Sequence, residues 1–414
     1  MSTPSFRDFL IAPDHPRVAD IRGINAREYA EAAKTDSFAG PMIEGWQKLY
    51  PQPFVGITSD GVRREGLYPL APARPGEEAP TAEMATAARK LMGAVTADQA
   101  LKLRYAVNAP EWQSWANPEF MQHDTGLRLD ELELPVRDAV LGVVEASLSP
   151  QGFELVRNLM RINGFLGDLV ELPLLMNEFS YNFALYGEPS ETEPWGWQLF
   201  GHHAALNCLV AGTQLVISPV FMGAEPDMID AGPHRGVKVF KERIALARQL
   251  MGALPAELRA CAVAYDSMVD PAMPEGRLHP GDERHLGGCF QDNRVIPYEG
   301  IRVSDMPFQA RGLLDAMVKD FIAYLPDGPR AARRREIREQ YGETFFSWIG
   351  GWEGEDAFYF RVQSPVVILE LDHHTGVFLS NDEPAPFHMH TVVRTPNGND
   401  YGRELVKQHS SIAP

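Results

Sequence analysis

The sequence predicts an α+β fold in which a layer of helices packs on a mostly antiparallel β-sheet. Apolar residues recur every three or four positions between residues 81 and 172, which is the helical period. From residue 179 to residue 221 they alternate with period two, and this strand pattern returns in the last hundred residues. The sheet is therefore predicted to be built from the middle and C-terminal segments of the chain.

Composition and net charge limit the classes of partner that the protein is expected to bind. The chain has 414 residues, 44% of them hydrophobic, and a net charge of -18, so a substantial core and an acidic surface are expected. Neither a nucleic acid nor an anionic membrane surface suits such a charge. We expect a small-molecule substrate, and both a monomer and a homo-oligomer are open. The sequence shows no signal peptide and no long apolar run, which predicts a cytoplasmic protein.

Two units are expected along the chain. Residues 1–80 are rich in Pro and Gly and predict a loop-rich N-terminal arm with one or two short strands, wrapped on the main body. Its Asp60-Gly61 pair is typical of a hairpin turn. Residues 81–414 are interpreted as a single α+β domain that carries the functional site.

The helices of this domain have recognisable ends. Residues 81–108 predict two helices, the second beginning at Thr96, whose spacing to Gln99 fits a capping box. Residues 129–172 predict two more, separated at Ser149. Helical patterns also cover residues 238–265 and 304–341.

A long irregular segment interrupts the second helical region. Residues 266–303 are rich in Pro and Gly and carry His279, Arg284 and His285. Loops of this length in compact domains usually serve function, so a lid or a binding loop is expected here.

The strongest concentration of chemistry is near the C-terminus. His388 and His390 are two residues apart, before a β-branched run that predicts a strand, so both imidazoles should leave the same face. Such a pair can offer two nitrogen ligands to one metal ion.

A second source of imidazoles is the pair His202 and His203, which the alternation places inside a strand from Trp195 to Val210. Adjacent strand residues point to opposite faces, so only one of the two is expected in the site. Alternation alone leaves the choice open.

Carboxylates come from a third strand, predicted over residues 358–372. Glu370 and Asp372 share one of its faces and are candidates for a metal ligand or a general base. His373 and His374 follow next to a turn, where histidines are usually exposed, so no role is assigned to them.

Together these segments resemble a known family. WGWQLFGHHAALN, SPVFMGAEP, FSWIGG, FYFRVQSPVVILELD and HMHTVVRTPNGNDYG, with the closing His409, are similar to the family called domain of unknown function 3500, over about residues 80–412. The resemblance implies that these segments meet in one site. It implies no activity, which must be argued from the residue types.

The combined pattern predicts a mononuclear metal site. His202 or His203 with His388, His390 and one carboxylate would hold a divalent metal, with Fe(II) favoured and Zn(II) or copper as alternatives. His409 is a fourth candidate histidine.

Other polar and aromatic residues are assigned to the substrate. Arg394 and Arg361 could each clamp a substrate carboxylate, or could form ion pairs with Glu370, Asp372 or Asp400. Trp195, Trp197 and Asn207, on the strand of the paired histidines, are candidates for the pocket wall.

Three functions remain open at this point. The first is a metal-dependent oxidoreductase, a non-haem iron oxygenase acting on a small organic substrate such as an aromatic or carboxylate-bearing one. The second is a zinc-type hydrolase or lyase with Glu370 or Asp372 as base. The third is a non-catalytic protein that binds a metal or a small molecule.

Overall fold

The structure, a computed structural model, describes residues 5–412. Residues 1–4 of the predicted arm and 413–414 of the predicted domain lie outside this range. Within it the α-helices are α1 Pro16–Ala19, α2 Ala26–Ala33, α3 Ala39–Leu49, α4 Thr81–Ala94, α5 Ala97–Leu103, α6 Leu134–Ser147, α7 Pro150–Leu169, α8 Lys241–Ala253, α9 Ala256–Ala262, α10 Phe308–Phe321, α11 Asp327–Glu339 and α12 Arg403–Ile412.

The strands fall in the two predicted segments, with short additions at the margins. They are β1 Arg104–Tyr105, β2 Leu127–Arg128, β3 Tyr181–Tyr186, β4 Trp195–Gly201, β5 Ala204–Ala211, β6 Gln214–Ala224, β7 Val263–Tyr265, β8 Ile301–Arg302, β9 Phe345–Gly350, β10 Phe358–Gln363, β11 Ile368–His373 and β12 Met389–Arg394.

All twelve strands form one sheet, in the order β1-β3-β4-β5-β6-β12-β11-β10-β9-β7, with β2 on β3 and β8 on β9. Every pairing is antiparallel except β1 with β3 and β7 with β9. The predicted α+β fold is confirmed. The two halves of the sheet join where β6 pairs with β12, so residues 165 to 173 positions apart become neighbours.

The two faces of the sheet are covered differently. Met389 and Val393 of β12 face a core built with helices α4, α6, α7, α8 and α10. Val392, on the opposite face, packs in a second core with α2, α3 and α12. Because side chains alternate along a strand, His390 shares the face of Val392. The histidine pair therefore faces the N-terminal arm.

The predicted helix ends are confirmed, whereas the predicted secondary structure of the arm is wrong. Thr96 and Gln99 form the predicted capping box, and Ser149 caps α7. The arm, however, contains α1, α2 and α3 instead of short strands. Asn25 and Glu28 form a capping box at α2, and α3 buries Met42 and Trp46, so apolar burial outweighs the local Gly content.

The hairpin expected at Asp60-Gly61 is also absent from the described chain. Thr58 instead makes a parallel bridge to Val295, in the 266–303 loop. Among the helices of residues 5–412, none combines the length and hydrophobicity that crossing a bilayer requires.

Candidate metal centre

Three imidazoles meet at one point where the two halves of the sheet join. The Nε2 atom of His390 lies 3.1 Å from Nε2 of His203 and 3.2 Å from Nε2 of His388. Ligands held at 2.0–2.1 Å around a tetrahedral metal would be about 3.3 Å apart. The three nitrogens, which lie within 4.8 Å of one another, thus have the spacing of a metal-binding face.

Strand register brings these rings together. His390 on β12 is paired with Gly223 on β6, and β6 in turn pairs with β5, which begins just after His203. A Cβ at Gly223 would lie 2.8 Å from Cδ2 of both His203 and His390. Only glycine leaves room for both rings here.

The strand predicted to run through His202 and His203 is wrong. The chain reverses there, and the two histidines are the two-residue turn between β4 and β5. His203 has φ +62°, in the left-handed region that turns require and that histidine enters more readily than most residues. As a result the rings stack, 3.8 Å between centroids, instead of leaving opposite faces.

Of these two, only His203 joins the group. His202 Nδ1 lies 2.8 Å from the side-chain oxygen of Asn163, and its ring lines the adjacent cavity. Burial lowers the pKa of His202 to about 3, so the ring is neutral. His202 supports His203 by stacking.

The tautomer of His388 suits metal binding. Its Nδ1–H donates to the Thr375 carbonyl at 2.6 Å, which leaves Nε2 with a free lone pair. Burial lowers the pKa of His203, His388 and His390 well below the usual value. The rings are therefore neutral at pH 7, the form that ligates a metal.

More histidines surround this group. His285 and His374 have ligand atoms within 4.8 Å of one of His390, and all three are buried. His374 and His373 were expected to be exposed beside a turn, which is wrong. The antiparallel pairing of β11 with β12 places the end of one strand beside the start of the other, and the His374 N–H donates to the His388 carbonyl.

The two carboxylates of β11 hold the 266–303 loop. Glu370 accepts from the amides of Leu286 and Gly287 at 2.8 Å, and Asp372 accepts from the amide and the guanidinium of Arg284. Burial would raise the pKa of Asp372, but the Arg284 guanidinium and His374 outweigh it and lower the pKa. Both acids are thus occupied beside the three-histidine group and fix the loop over it.

A cavity of about 740 Å³ opens onto the histidines. His203, His388 and His390 line its floor, with His202 and His374 beside them. The arm forms much of the opposite wall. Most other lining side chains are apolar: Pro16, Ile21, Tyr29, Ala32, Ala33, Phe38, Ala39, Met42, Pro118, Phe120, Pro280, Val377 and Phe378.

The two arginines assigned to the substrate have protein partners. Arg394 lies 2.8 Å from Asp292 and 3.3 Å from Asp400, and is completely buried. Arg361 lies on β10, since the predicted strand over 358–372 is a hairpin, and pairs with Glu299 at 2.9 Å. Both form ion pairs, but only Arg394 has one of the expected partners, Asp400, whereas Glu299 was not among the acids proposed for Arg361.

The remaining predicted site residues also lie elsewhere. His409 is on α12 near the surface, 3.4 Å from Glu193. Trp195 and Trp197 point into the core on the opposite face of the sheet and donate to the Ser190 carbonyl and the Ser147 hydroxyl. Asn207 donates to the Pro219 carbonyl and accepts from Gln198. The two tryptophans and Asn207 were assigned to the pocket on the assumption that Trp195–Val210 is one strand, but the chain turns at His202.

Two further carboxylates were missed, one in the cavity wall and one 3.9 Å from Nδ1 of His388. Glu119 lines the cavity, receives a hydrogen bond from Tyr29 at 3.1 Å, and has its pKa raised by burial. Glu225, beneath the histidines, accepts from the amides of Val377, Phe378 and Leu379, and burial raises its pKa to about 7. No local sequence pattern marks either residue. By contrast, Arg284 and His285 lie in the 266–303 loop, which the sequence already indicated as a functional segment.

These features define an α+β protein with a buried histidine cluster beneath an apolar cavity. The chain belongs to the family described as protein of unknown function (DUF3500), whose model matches residues 77–403. This confirms the resemblance. Searches of curated proteins and of solved structures each found no match.

Proposed function

We propose that this protein is a metal-dependent enzyme that acts on a small organic substrate in the cavity, with His203, His388 and His390 as the metal ligands. The observation that carries the proposal is the convergence of three neutral Nε2 atoms at 3.1 and 3.2 Å. Their lone pairs repel one another unless a proton or a cation lies between them. A divalent metal relieves that repulsion for all three at once.

The donor set leaves coordination positions open toward the cavity. Three imidazoles occupy one face of a metal, as in catalytic sites that keep a position for water or substrate. Neutral imidazole suits Fe(II), Zn(II) and copper alike. Since Glu370 and Asp372 bind the 266–303 loop, the carboxylate expected in the ligand set does not come from them.

The cavity wall favours oxygen chemistry at Fe(II). Apolar and aromatic side chains such as Tyr29, Phe38 and Phe120 form much of the lining, beside charged groups such as Glu119 and Glu283, so a substrate with a hydrocarbon or aromatic portion would fit. A hydrocarbon or aromatic portion has no bond that water cleaves, so oxidation is the reaction class that would act on it directly. When bound, the metal would supply activation of dioxygen.

A zinc-type hydrolase or lyase is the second candidate, and Glu119 favours it. Its carboxyl group lines the same cavity and burial raises its pKa above the usual value, which is the direction that favours a general acid or base. In that case the metal would supply an activated water. Glu119 takes the role that the sequence analysis gave to Glu370 or Asp372.

The test begins with metal analysis of protein purified without added metal. The chelator-stripped protein is then loaded separately with Fe(II), Zn(II) and Cu(II). The oxygenase predicts that the Fe(II) form binds nitric oxide, a dioxygen surrogate, with a high-spin electron paramagnetic resonance signal. The hydrolase predicts that only the Zn(II) form cleaves p-nitrophenyl acetate, and that Glu119→Gln slows the cleavage.

Variants identify the ligands. His388→Ala with His390→Ala should abolish stoichiometric metal, whereas His234→Ala, a histidine in the loop between β6 and α8, should retain it. Stoichiometric zinc with no iron or copper would overturn the oxygenase. Unchanged metal content in the double variant would overturn the ligand set, and a loaded protein that neither binds nitric oxide nor cleaves the ester would support a non-catalytic binding protein.

A further inference from the structure

Behind the three-histidine group lies a second set of buried polar atoms that have no hydrogen-bond partner. Both ring nitrogens of His285 are unpartnered, as are Nδ1 of His390 and both carboxylate oxygens of Asp282, and Nε2 of His374 has only the Asp372 carboxylate, at 3.2 Å. Each of these side chains is at least 95% buried. Buried polar atoms normally have partners, so this group of neighbouring exceptions indicates that something binds between them.

These atoms are close enough to share one ion. His285, His374 and His390 have ligand atoms within 4.8 Å of one another. The centroid of the His374 ring is 3.8 Å from that of His390, and the His285 ring lies 5.5 and 5.6 Å from the other two. The three rings approach from the 266–303 loop, the end of β11 and β12.

The orientation of His390 allows it to serve both groups. Its Cδ2 edge faces Gly223 on β6, and Nε2 faces His203 and His388. Nδ1 is on the other edge of the ring, so it faces β11, the strand that leads into His374. One imidazole thus presents its two nitrogens to two different sets of ligands.

Carboxylates next to the second group supply negative charge. Asp282 Oδ1 lies 3.7 Å from Nε2 of His285, and Asp372 Oδ2 lies 3.2 Å from Nε2 of His374. A Cβ on Gly288 would lie 2.6 Å from the Asp282 carboxylate, so glycine at that position keeps space for it. Acidic groups beside imidazoles stabilise a bound cation.

A hydrogen-bonded network without metal explains less. An ion pair with Asp372 would satisfy His374, but both nitrogens of His285 and both oxygens of Asp282 would stay unpaired at their distance of 3.7 Å. A single cation near His285, His374 and Asp282 would provide a partner for one nitrogen of His285 and for the Asp282 carboxylate.

We propose that His285, His374 and His390 bind a second metal ion, with Asp282 beside it, to form a dinuclear centre with the first. His390 bridges the pair, through Nε2 to the first ion and Nδ1 to the second, and releases one ring proton to solvent. This inference rests on the proposed function, because the first ion is the one held by His203, His388 and His390.

Zinc stoichiometry after stripping and reloading tests the proposal. Wild-type protein should bind two Zn(II) per chain, and His234→Ala should match it. His285→Ala should bind one, because it keeps the first site. If the wild type binds one ion and His285→Ala also binds one, the second site does not exist. If His388→Ala and His390→Ala both keep the full metal content, the first site and the proposed function are overturned instead.

Copper provides a readout that needs no variant, in case His285→Ala fails to fold. Two Cu(II) ions joined by the His390 ring couple magnetically, so the spin count of the wild-type protein should fall well below its copper content. A spin count equal to a copper content of one per chain would overturn the dinuclear centre. If the protein binds two copper ions per chain and both give uncoupled signals, His390 does not bridge them.

Discussion

One end of strand β12 carries a buried arginine that is paired with carboxylates, and the other end carries buried histidines that face a cavity. At its C-terminal end Arg394 is paired with Asp292 and Asp400 and donates to the Gly288 carbonyl. At its N-terminal end His388 and His390 direct nitrogens at each other and at the cavity. The same strand thus holds an arginine whose charge is compensated by two carboxylates and histidines whose nearest polar neighbours are other imidazoles.

The difference separates structure from function. A buried charge that has oppositely charged protein partners stabilises the fold as part of its pair, and that charge is already compensated. Buried imidazoles whose lone pairs converge lack that compensation and open onto a cavity, so they are expected to gain a partner from outside the chain. Predictions for the two ends should therefore diverge.

The largest effect on stability should come from Arg394→Met. Removal of the guanidinium leaves Asp292 and Asp400 buried without their cation, which should cost about 3–5 kcal/mol in the free energy of unfolding. Urea denaturation measures this loss. Metal content of the folded fraction should stay at the wild-type value. Arg311→Met, at an exposed position of α10, is the control, and an equal loss there would show that the buried pair contributes nothing special.

The largest effect on metal binding should come from His390→Ala. Loss of the central ligand should weaken affinity for Zn(II) at least about 100-fold, equivalent to about 2.7 kcal/mol. Competition with a chromophoric chelator measures it, alongside unfolding of the metal-free protein to establish that the fold is kept. Affinity within threefold of wild type would contradict the account of this end of β12.

Gly223→Ala should have a smaller effect on the same end. The added Cβ would meet Cδ2 of His203 and His390 at 2.8 Å, so one ring must move and Zn(II) affinity should fall about 10-fold. Gly142→Ala is a matched control, because no heavy atom lies within 4 Å of its added Cβ in the interior of α6. That control should stabilise the protein by about 0.5–1 kcal/mol and leave binding unchanged. Equal binding by both variants would contradict the steric argument.

His409→Ala should have almost no effect. This residue lies near the surface beside Glu193, and exposed pairs contribute about 0–1 kcal/mol. Metal content should equal that of the wild type. A loss of metal in this variant would return His409 to the site where the sequence analysis had placed it.

Local patterns in the sequence predicted most of the helices and strands and two of the three proposed metal ligands, His388 and His390. The helical and alternating periods determine which segments are helices and strands, and the spacing of His388 and His390 correctly predicted two rings on one side. Family resemblance added that the His202-His203 segment would join them. These inferences depend only on short-range geometry or on shared motifs.

The errors come from interactions between distant segments. Whether residues 202–203 continue a strand or turn depends on burial of β4 and β5, which no local pattern specifies. His374 enters the centre only through the register of β11 with β12. Asp292, the partner of Arg394, is 102 residues away from it, and Glu119 is 84 residues from His203 and 269 from His388. Sequence spacing alone does not encode such contacts.

The central claim is that His203, His388 and His390 hold a metal ion, and anomalous diffraction from crystals of the zinc-loaded protein tests it most directly. Data collected on both sides of the zinc absorption edge should give a peak about 2.0–2.2 Å from Nε2 of all three residues. A loaded crystal with no peak at that point, or with zinc bound only at other residues, would contradict the claim.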